Sequence, residues 1–106
     1  MKNINQNYLP YFFKDEVFAN GKTKKYLNFN ANRFIMDEYY NFSKTIQFTS
    51  YSQMIAKLKS IGVNFSYEGD KTHCTIKFND FEVTTDNFEH RITSAIKCMF
   101  FCNILK

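Results

Sequence analysis

Two histidines, three cysteines and ten carboxylates are the residues of this 106-residue chain that could carry catalytic chemistry. His73 and Cys74 are adjacent, and a thiol nucleophile does need a base beside it. Consecutive residues of a strand point to opposite faces of a sheet, however, so we expect these two side chains to diverge. His90 stands between Glu89 and Arg91 in the first turn of a predicted helix, as a solvated polar residue. The sequence therefore offers no nucleophile with a base at hand.

Metal and cofactor sites are the next possibility. Cys98 and Cys102 are four residues apart and would share one face of a helix, which zinc could use. Both thiols lie in an apolar stripe, however, and buried cysteine behaves as a small hydrophobe. Asp70 and Asp86 fit a turn and a helix cap, and no spacing of carboxylates supports a metal-dependent nuclease. Three scattered glycines form no phosphate-binding loop. We therefore predict no enzymatic activity, no metal and no cofactor.

The most distinctive polar feature is a lysine-rich segment beside Asn20-Gly21. An Asn-Gly pair between two short apolar runs predicts a β-hairpin, with the lysines projecting from its tip. Such a tip could contact phosphates while a tyrosine stacks on a base. The alternative is that the lysines only protect an exposed strand from pairing with other chains. The candidate residues for binding nucleic acid or an acidic partner are Lys22, Lys24, Lys25 and Tyr26.

The second half of the chain shows a helix followed by a hairpin. Ser50 and Gln53 have capping-box spacing, and apolar residues at helical spacing then continue to Gly62, which is a typical C-terminal cap. Residues 63–67 and 73–78 alternate between apolar and polar on either side of a glycine-containing turn, and residues 81–83 add a short third strand. One face of this hairpin is polar without exposed aromatics, which argues against a base-stacking platform.

A long final helix is predicted after Asp86, which has capping-box spacing to Glu89. Its apolar face begins at Phe88, and from Cys98 onward the segment is apolar almost all round. Such a helix is either buried on several sides or docked on a partner, including a second copy of this chain. The exposure of Phe100 and Phe101 decides between these alternatives.

The first half is less clearly patterned. Residues 32–42 fit a helix and a strand nearly equally well, and residues 44–48 read as a strand. Together the elements predict a single domain over residues 1–106 of the α+β class, with a small antiparallel sheet and helices packed on one face. The part from residue 44 onward resembles a ferredoxin-like unit without its last strand.

Composition limits the function classes further. The net charge of +4 is only mildly basic, and 44% of the residues are hydrophobic, too many for a disordered chain. Met1–Leu9 is polar and unlike a signal peptide, no run approaches a membrane span, and an odd number of cysteines fits a reducing compartment. We therefore expect a cytoplasmic protein that does not enter membranes.

The chain is rich in Asn, Lys, Ile, Phe and Tyr, which indicates an AT-rich genome. In this bias, in size and in its lack of motifs it resembles the orphan proteins of phages and mobile elements, among them anti-CRISPR and related anti-defence proteins. The resemblance implies an inhibitor that sterically blocks a host defence nucleoprotein, such as a CRISPR-Cas effector, by direct protein binding. Its interface could then be anchored by the aromatic residues Tyr39, Tyr40, Phe100 and Phe101.

The alternative function, direct binding of DNA or RNA by the basic hairpin, gives a prediction of its own. Changing Lys22, Lys24 and Lys25 together to Ala should weaken binding and flatten its dependence on salt, because fewer counterions are released. Fluorescence anisotropy with labelled single-stranded and duplex oligonucleotides at several salt concentrations measures both effects. Binding that survives the triple change would exclude this use of the hairpin.

Overall fold

The computed structural model describes residues 9–28, 48 and 50–105, without the side chain of Tyr11. It has the predicted α+β class. Residues 32–42, including Tyr39 and Tyr40, and the predicted strand 44–48 apart from Phe48 lie outside the described residues. No described helix is long and apolar enough to cross a membrane. In chain order, the elements are α1 (Leu9–Phe12), β1 (Phe13–Val17), β2 (Thr23–Leu27), α2 (Tyr51–Ser60), β3 (Ser66–Gly69), β4 (His73–Phe78), β5 (Phe81–Asp86) and α3 (Glu89–Phe101).

The strands form one five-stranded sheet in the order β1-β2-β5-β4-β3. Three of the four pairings are antiparallel, but β2 runs parallel to β5. The sheet is therefore mixed, where the sequence predicted an antiparallel one. Residues 28–80 separate these two strands in the chain, so no tight turn sets their relative direction. Alternation of apolar residues fixes which face is buried but carries no information on direction.

The N-terminal hairpin is confirmed, with a different turn from the one expected. The Phe18 N–H donates to the Lys22 carbonyl at 2.8 Å, and the Gly21 N–H donates to the Phe18 carbonyl at 2.9 Å. Gly21 has φ of 82°, a left-handed conformation that glycine adopts without steric cost. The loop is thus a three-residue turn that ends on a left-handed glycine, a common alternative to the two-residue Asn-Gly turn.

The C-terminal half follows the predicted alternation. Cys74 and Ile76 of β4 are buried, whereas the adjacent His73 is exposed. Strand β5 extends further than predicted, through Asp86, because its residues continue to pair with β4 as far as His73. Asp86 is therefore a strand residue and not a helix cap. Its Oδ2 lies 3.8 Å from the Arg91 Nε of α3.

Local signals set both ends of α2, whereas α3 begins without a side-chain cap. The Ser50 hydroxyl accepts a hydrogen bond from the Gln53 N–H at 3.3 Å, as the spacing predicted. Gly62 ends α2 with φ of 77°. Its N–H donates to the Lys59 carbonyl and that of Val63 to the Leu58 carbonyl, a Schellman motif. Helix α3 begins after Phe88, which provides no side-chain cap and is 59% exposed. The prediction that Phe88 begins the apolar face of this helix is therefore wrong.

The core lies between one face of the sheet and the helices, and α3 is buried on several sides. Seven of its thirteen residues are buried, including Phe100 and Phe101. The Phe101 ring packs edge-on against Phe12 of α1 at a centroid distance of 5.3 Å, and Phe100 packs against Phe48 at 6.5 Å. The structure therefore does not offer Phe100 and Phe101 as exposed anchors, because the chain's own aromatic residues cover them.

Truncation of the end of α3 should accordingly destabilise the folded chain. We expect Phe101→Ala to reduce the free energy of unfolding by about 3–5 kcal/mol, since it leaves a cavity against Phe12. The control is Phe88→Ala at an exposed ring, which should change it by about 0.5 kcal/mol or less. Urea unfolding followed by circular dichroism measures both variants. A stable Phe101→Ala protein with a changed sedimentation coefficient would instead place Phe101 in an interface between copies.

Candidate binding site

The outer part of the N-terminal hairpin is paired only with itself. β2 meets β5 at a single register pair, Tyr26 with Thr84, whereas β1 and β2 pair along their whole length from Phe13–Leu27 to Val17–Thr23. Every residue from 14 to 24 is exposed. We call these residues, 14–24, the hairpin arm.

The hairpin arm carries one exposed apolar side chain on each face. Val17 pairs with Thr23 and is 74% exposed. Phe18 is 39% exposed, and the Lys24 ammonium lies 5.6 Å from the centroid of its ring. Val17 shares a face with its partner Thr23, so it projects to the face opposite to that of Lys24, the next residue of β2. Phe18 lies on the same face as Lys24, whose ammonium is over its ring. An arm that presents one apolar side chain on each face can make an apolar contact on both sides at once.

Two carboxylates neutralise part of the positive charge of the hairpin. The Lys25 ammonium lies 2.7 Å from Asp15 Oδ1, and the Lys14 ammonium lies 3.7 Å from Glu16 Oε1. The Lys25 side chain is only 25% exposed, and its ammonium lies 5.9 Å from the centroid of the Phe81 ring.

The predicted basic set is therefore divided. Lys24 and Tyr26 share one face of β2, and Lys25 lies on the other face with its ion pair. Among the described residues, no carboxylate lies within ion-pair distance of Lys22 or Lys24. These two lysines supply the available positive charge of the hairpin arm.

A second polar region lies on the sheet face that the helices leave uncovered. Register pairs align Tyr26, Thr84, Thr75 and Glu68 in one row across four strands. The Thr75 and Thr84 hydroxyl oxygens are 3.2 Å apart at the centre of this row. The expectation of a polar face without aromatic residues holds for β3 and β4 alone, because pairing of β2 with β5 adds the half-buried Tyr26 to this face.

The row forms the floor of an open cavity of about 440 Å³, which we call the sheet pocket. One end is bounded by Lys24 and Tyr26. The other end is bounded by Glu68, Asp70 and His73. The sheet pocket is thus lined by acidic residues at one end, and by a lysine at the other whose ammonium lies over the Phe18 ring.

Asp70 is held in its charged form by the turn between β3 and β4. Its Oδ1 accepts hydrogen bonds from the Thr72 N–H and the His73 N–H, each at 2.7 Å, and from the Thr72 hydroxyl at 3.0 Å. Donors aimed at a carboxylate stabilise the ionised state. The backbone N–H groups of His73 and Thr72 therefore lower the pKa of Asp70 to about 2.

Burial keeps two of the three thiols, Cys74 and Cys102, in the protonated form. Desolvation raises the pKa of the Cys74 thiol to about 11 and that of Cys102 to about 12. Both are therefore neutral thiols near pH 7, and a thiolate is the reactive form. The His73 ring is turned toward the Thr72 hydroxyl, with Nδ1 at 2.8 Å. Within residues 9–28, 48 and 50–105, no three potential ligands gather to hold a metal ion.

Sequence reasoning missed Val17 and Phe18 as candidate binding residues. A signal was present, because two apolar residues directly precede a turn where polar residues are usual. That signal is ambiguous, because apolar residues before a turn can also pack beneath a hairpin, and only the tertiary structure shows that Val17 and Phe18 are exposed.

No family model, no curated protein and no solved structure matches this chain.

The hydrogen bonds to Asp70 predict how stability depends on pH. Because its pKa is lower in the folded chain, near 2, than in the unfolded chain, near 4, its charge stabilises the fold above about pH 4. This contribution should be lost as the pH falls toward 2. Asp70→Asn keeps the turn geometry but removes the charge, so its urea midpoint should lie below that of the wild type at pH 6 and approach it near pH 2.

The matched control for this measurement is Asp80→Asn, which removes an exposed carboxylate from the neighbouring β4–β5 turn. An Asp70→Asn protein that stays equally far below the wild type at both pH values would show that the charge is not responsible.

Proposed function

We propose that this chain is a small non-enzymatic binding protein that inserts its hairpin arm into a cleft of a partner protein and blocks that surface. The proposed class is an inhibitor of a host defence nucleoprotein, such as a CRISPR-Cas effector, made by a phage or mobile element. Direct binding to DNA or RNA is the alternative.

One observation carries the proposal: Val17 and Phe18 are exposed on opposite faces of an arm that is paired only with itself. Exposing apolar side chains costs free energy that burial in a partner would recover, at about 25 cal/mol per Å². A two-residue apolar tip held by a β-hairpin is also partly pre-organised, so little conformational entropy is lost on binding.

The charges of the hairpin favour a protein partner over a polyanion. Asp15 and Glu16 lie among the lysines and form ion pairs with two of them. A phosphate backbone would be repelled by these carboxylates, whereas a protein cleft can supply both apolar contacts and a few carboxylates near Lys22 and Lys24. Steric blocking requires only this contact, and it requires no catalytic group in the chain.

Site-specific photo-crosslinking tests the proposal. Phe18 is replaced with benzoylphenylalanine, and the matched control carries the same probe at Gln53, an exposed position of α2 on the body of the domain. After irradiation in a nuclease-treated bacterial lysate, we expect the probe at position 18, and not at position 53, to capture one protein. Membership of that protein in a defence nucleoprotein would support the inhibitor class.

A double variant measures the contribution of the tip. Val17→Ser with Phe18→Ser, made without the photo-crosslinker, should weaken binding to the purified captured protein by about tenfold or more, because truncating an anchor at the centre of an interface costs more than about 1 kcal/mol. Its thermal midpoint should match that of the wild type, since both side chains are exposed. Equal capture by positions 18 and 53, or binding to the captured protein that the double variant leaves unchanged, would contradict insertion of the hairpin arm. In a parallel lysate without nuclease treatment, a crosslink to nucleic acid alone would favour the alternative function.

A further inference from the structure

Strand β3 leaves one side of its backbone unpaired at the edge of the sheet. Among the described strands it pairs only with β4, and its four residues are all exposed. The Asp70 N–H donates to the His73 carbonyl at 2.9 Å, so this register pair is a hydrogen-bonded one. Because hydrogen-bonded and non-hydrogen-bonded pairs alternate in an antiparallel ladder, Tyr67 and Gly69 direct their N–H and C=O groups away from β4.

The two edges of the sheet differ in how strongly they oppose pairing with another chain. β1 carries three consecutive charged residues, Lys14, Asp15 and Glu16. Charged side chains, lysine above all, protect an edge strand from such pairing. β3 carries one charged residue, Glu68, and ends on a glycine. The β3 edge is therefore the better protected by nothing but its single carboxylate, and it is the edge open to strand addition.

Aromatic side chains line this edge on the face that carries the helices. The Tyr67 ring is 41% exposed, packs edge-on against Tyr51 of α2 at 6.1 Å and stacks on Phe65 at 6.2 Å. Phe65 directly precedes β3 and shares the face of Tyr67, which extends the available edge to residues 65–69. An added strand would cover the exposed part of Tyr67.

A second copy of the same edge matches it in one antiparallel register, with the two Tyr67 residues on a two-fold axis. Phe65 then lies opposite Gly69 of the second copy, and the outward N–H and C=O groups of both copies pair. An axis at Glu68 would place two carboxylates directly opposite, which is destabilising. An axis at Ser66 would place Gly69 opposite Val63, whose N–H already donates to the Leu58 carbonyl at 2.9 Å.

The charges of the uncovered sheet face complement each other in this register. Glu68 lies opposite Ser66 of the second copy, and Ser66 pairs with Lys77 within each copy. Glu68 and Lys77 of the second copy are thus two strand intervals apart, roughly 10 Å between backbones, across a small serine. The long side chains of both residues can span this gap, and the contact occurs twice by symmetry.

These two groups are available for such a contact. Among the described residues, neither Glu68 nor Lys77 forms an ion pair within the chain, although Glu82 lies opposite Lys77 on β5. The one like-charge contact of the register is diagonal, between the two Glu68 side chains.

We propose that two copies of this chain associate through β3, about a two-fold axis at Tyr67, and join their sheets into one continuous sheet. The Glu68 carboxylate of each copy binds the Lys77 ammonium of the other. β1 lies at the opposite edge of each sheet, so the two hairpin arms stay at the far ends of the dimer. Association does not depend on the use of the hairpin arm.

Charge reversal in two separate variants tests the register, with sedimentation equilibrium as the measurement. We expect a monomer–dimer equilibrium for the wild type. Glu68→Lys opposes lysines across the axis and Lys77→Glu opposes glutamates, so each variant alone should dimerise about tenfold or more weakly. An equimolar mixture of the two should dimerise at least as tightly as the wild type, because every contact then joins a lysine to a glutamate. No effect within one chain can produce this recovery.

The matched control is Asp80→Lys, which reverses an exposed carboxylate at the β4–β5 turn and should dimerise like the wild type. Cysteines give a second measurement that needs no charge reversal. Residues 66 and 68 of the two copies face each other as a non-hydrogen-bonded pair, whose short Cα separation suits a disulfide. Under mild oxidation, Ser66→Cys mixed with Glu68→Cys should therefore form a disulfide-linked dimer faster than either variant alone.

The proposal is overturned if the wild type stays monomeric up to millimolar concentration, or if the charge-reversal mixture dimerises no better than its components. Failure here is distinct from failure of the hairpin arm. The Val17 and Phe18 substitutions should leave the dimer unchanged, and capture by the probe at position 18 does not require β3.

Discussion

Burial of α3 is the interaction on which the rest of the structure depends. Val83 and Ile76 of the sheet form part of the core beneath α3, α2 packs alongside α3, and Phe12 packs against Phe101 at its C-terminal end. A helix covered on so many sides ties the N-terminal and C-terminal halves of the chain into one core. This explains why a segment that is apolar all round belongs to the interior and not to a partner surface.

The second constraint is the short strand pairing between β2 and β5. Tyr26 with Thr84 is the one register pair between them, and Phe13 and Lys25 of the hairpin also contact the Phe81 ring of β5. On one side of that pair Leu27 and Phe13 are buried, and on the other side the residues of the hairpin arm are exposed. The pairing of β2 with β5 therefore places one end of the hairpin in the core and leaves the hairpin arm at the other end exposed to solvent.

The two candidate sites follow from this geometry in different ways. The hairpin arm is a candidate site because Val17 and Phe18 are exposed and no other element covers them. The sheet pocket depends on what the sheet brings together, since Tyr26 and Glu68 are far apart in sequence and lie in one row. Lys24 contributes to both, with its ammonium over the Phe18 ring and its position at one end of the pocket.

Local features of this protein were determined by the sequence itself. The Ser50 cap, the Gly62 terminus and the strand alternation around Cys74 act over a few residues, so their patterns predict them directly. The tertiary structure alone decided the parallel direction of β2, the burial of Phe101 and the place of Tyr26 on the open face. These depend on contacts between distant segments, where alternation and periodicity specify which side is apolar but not which partner covers it.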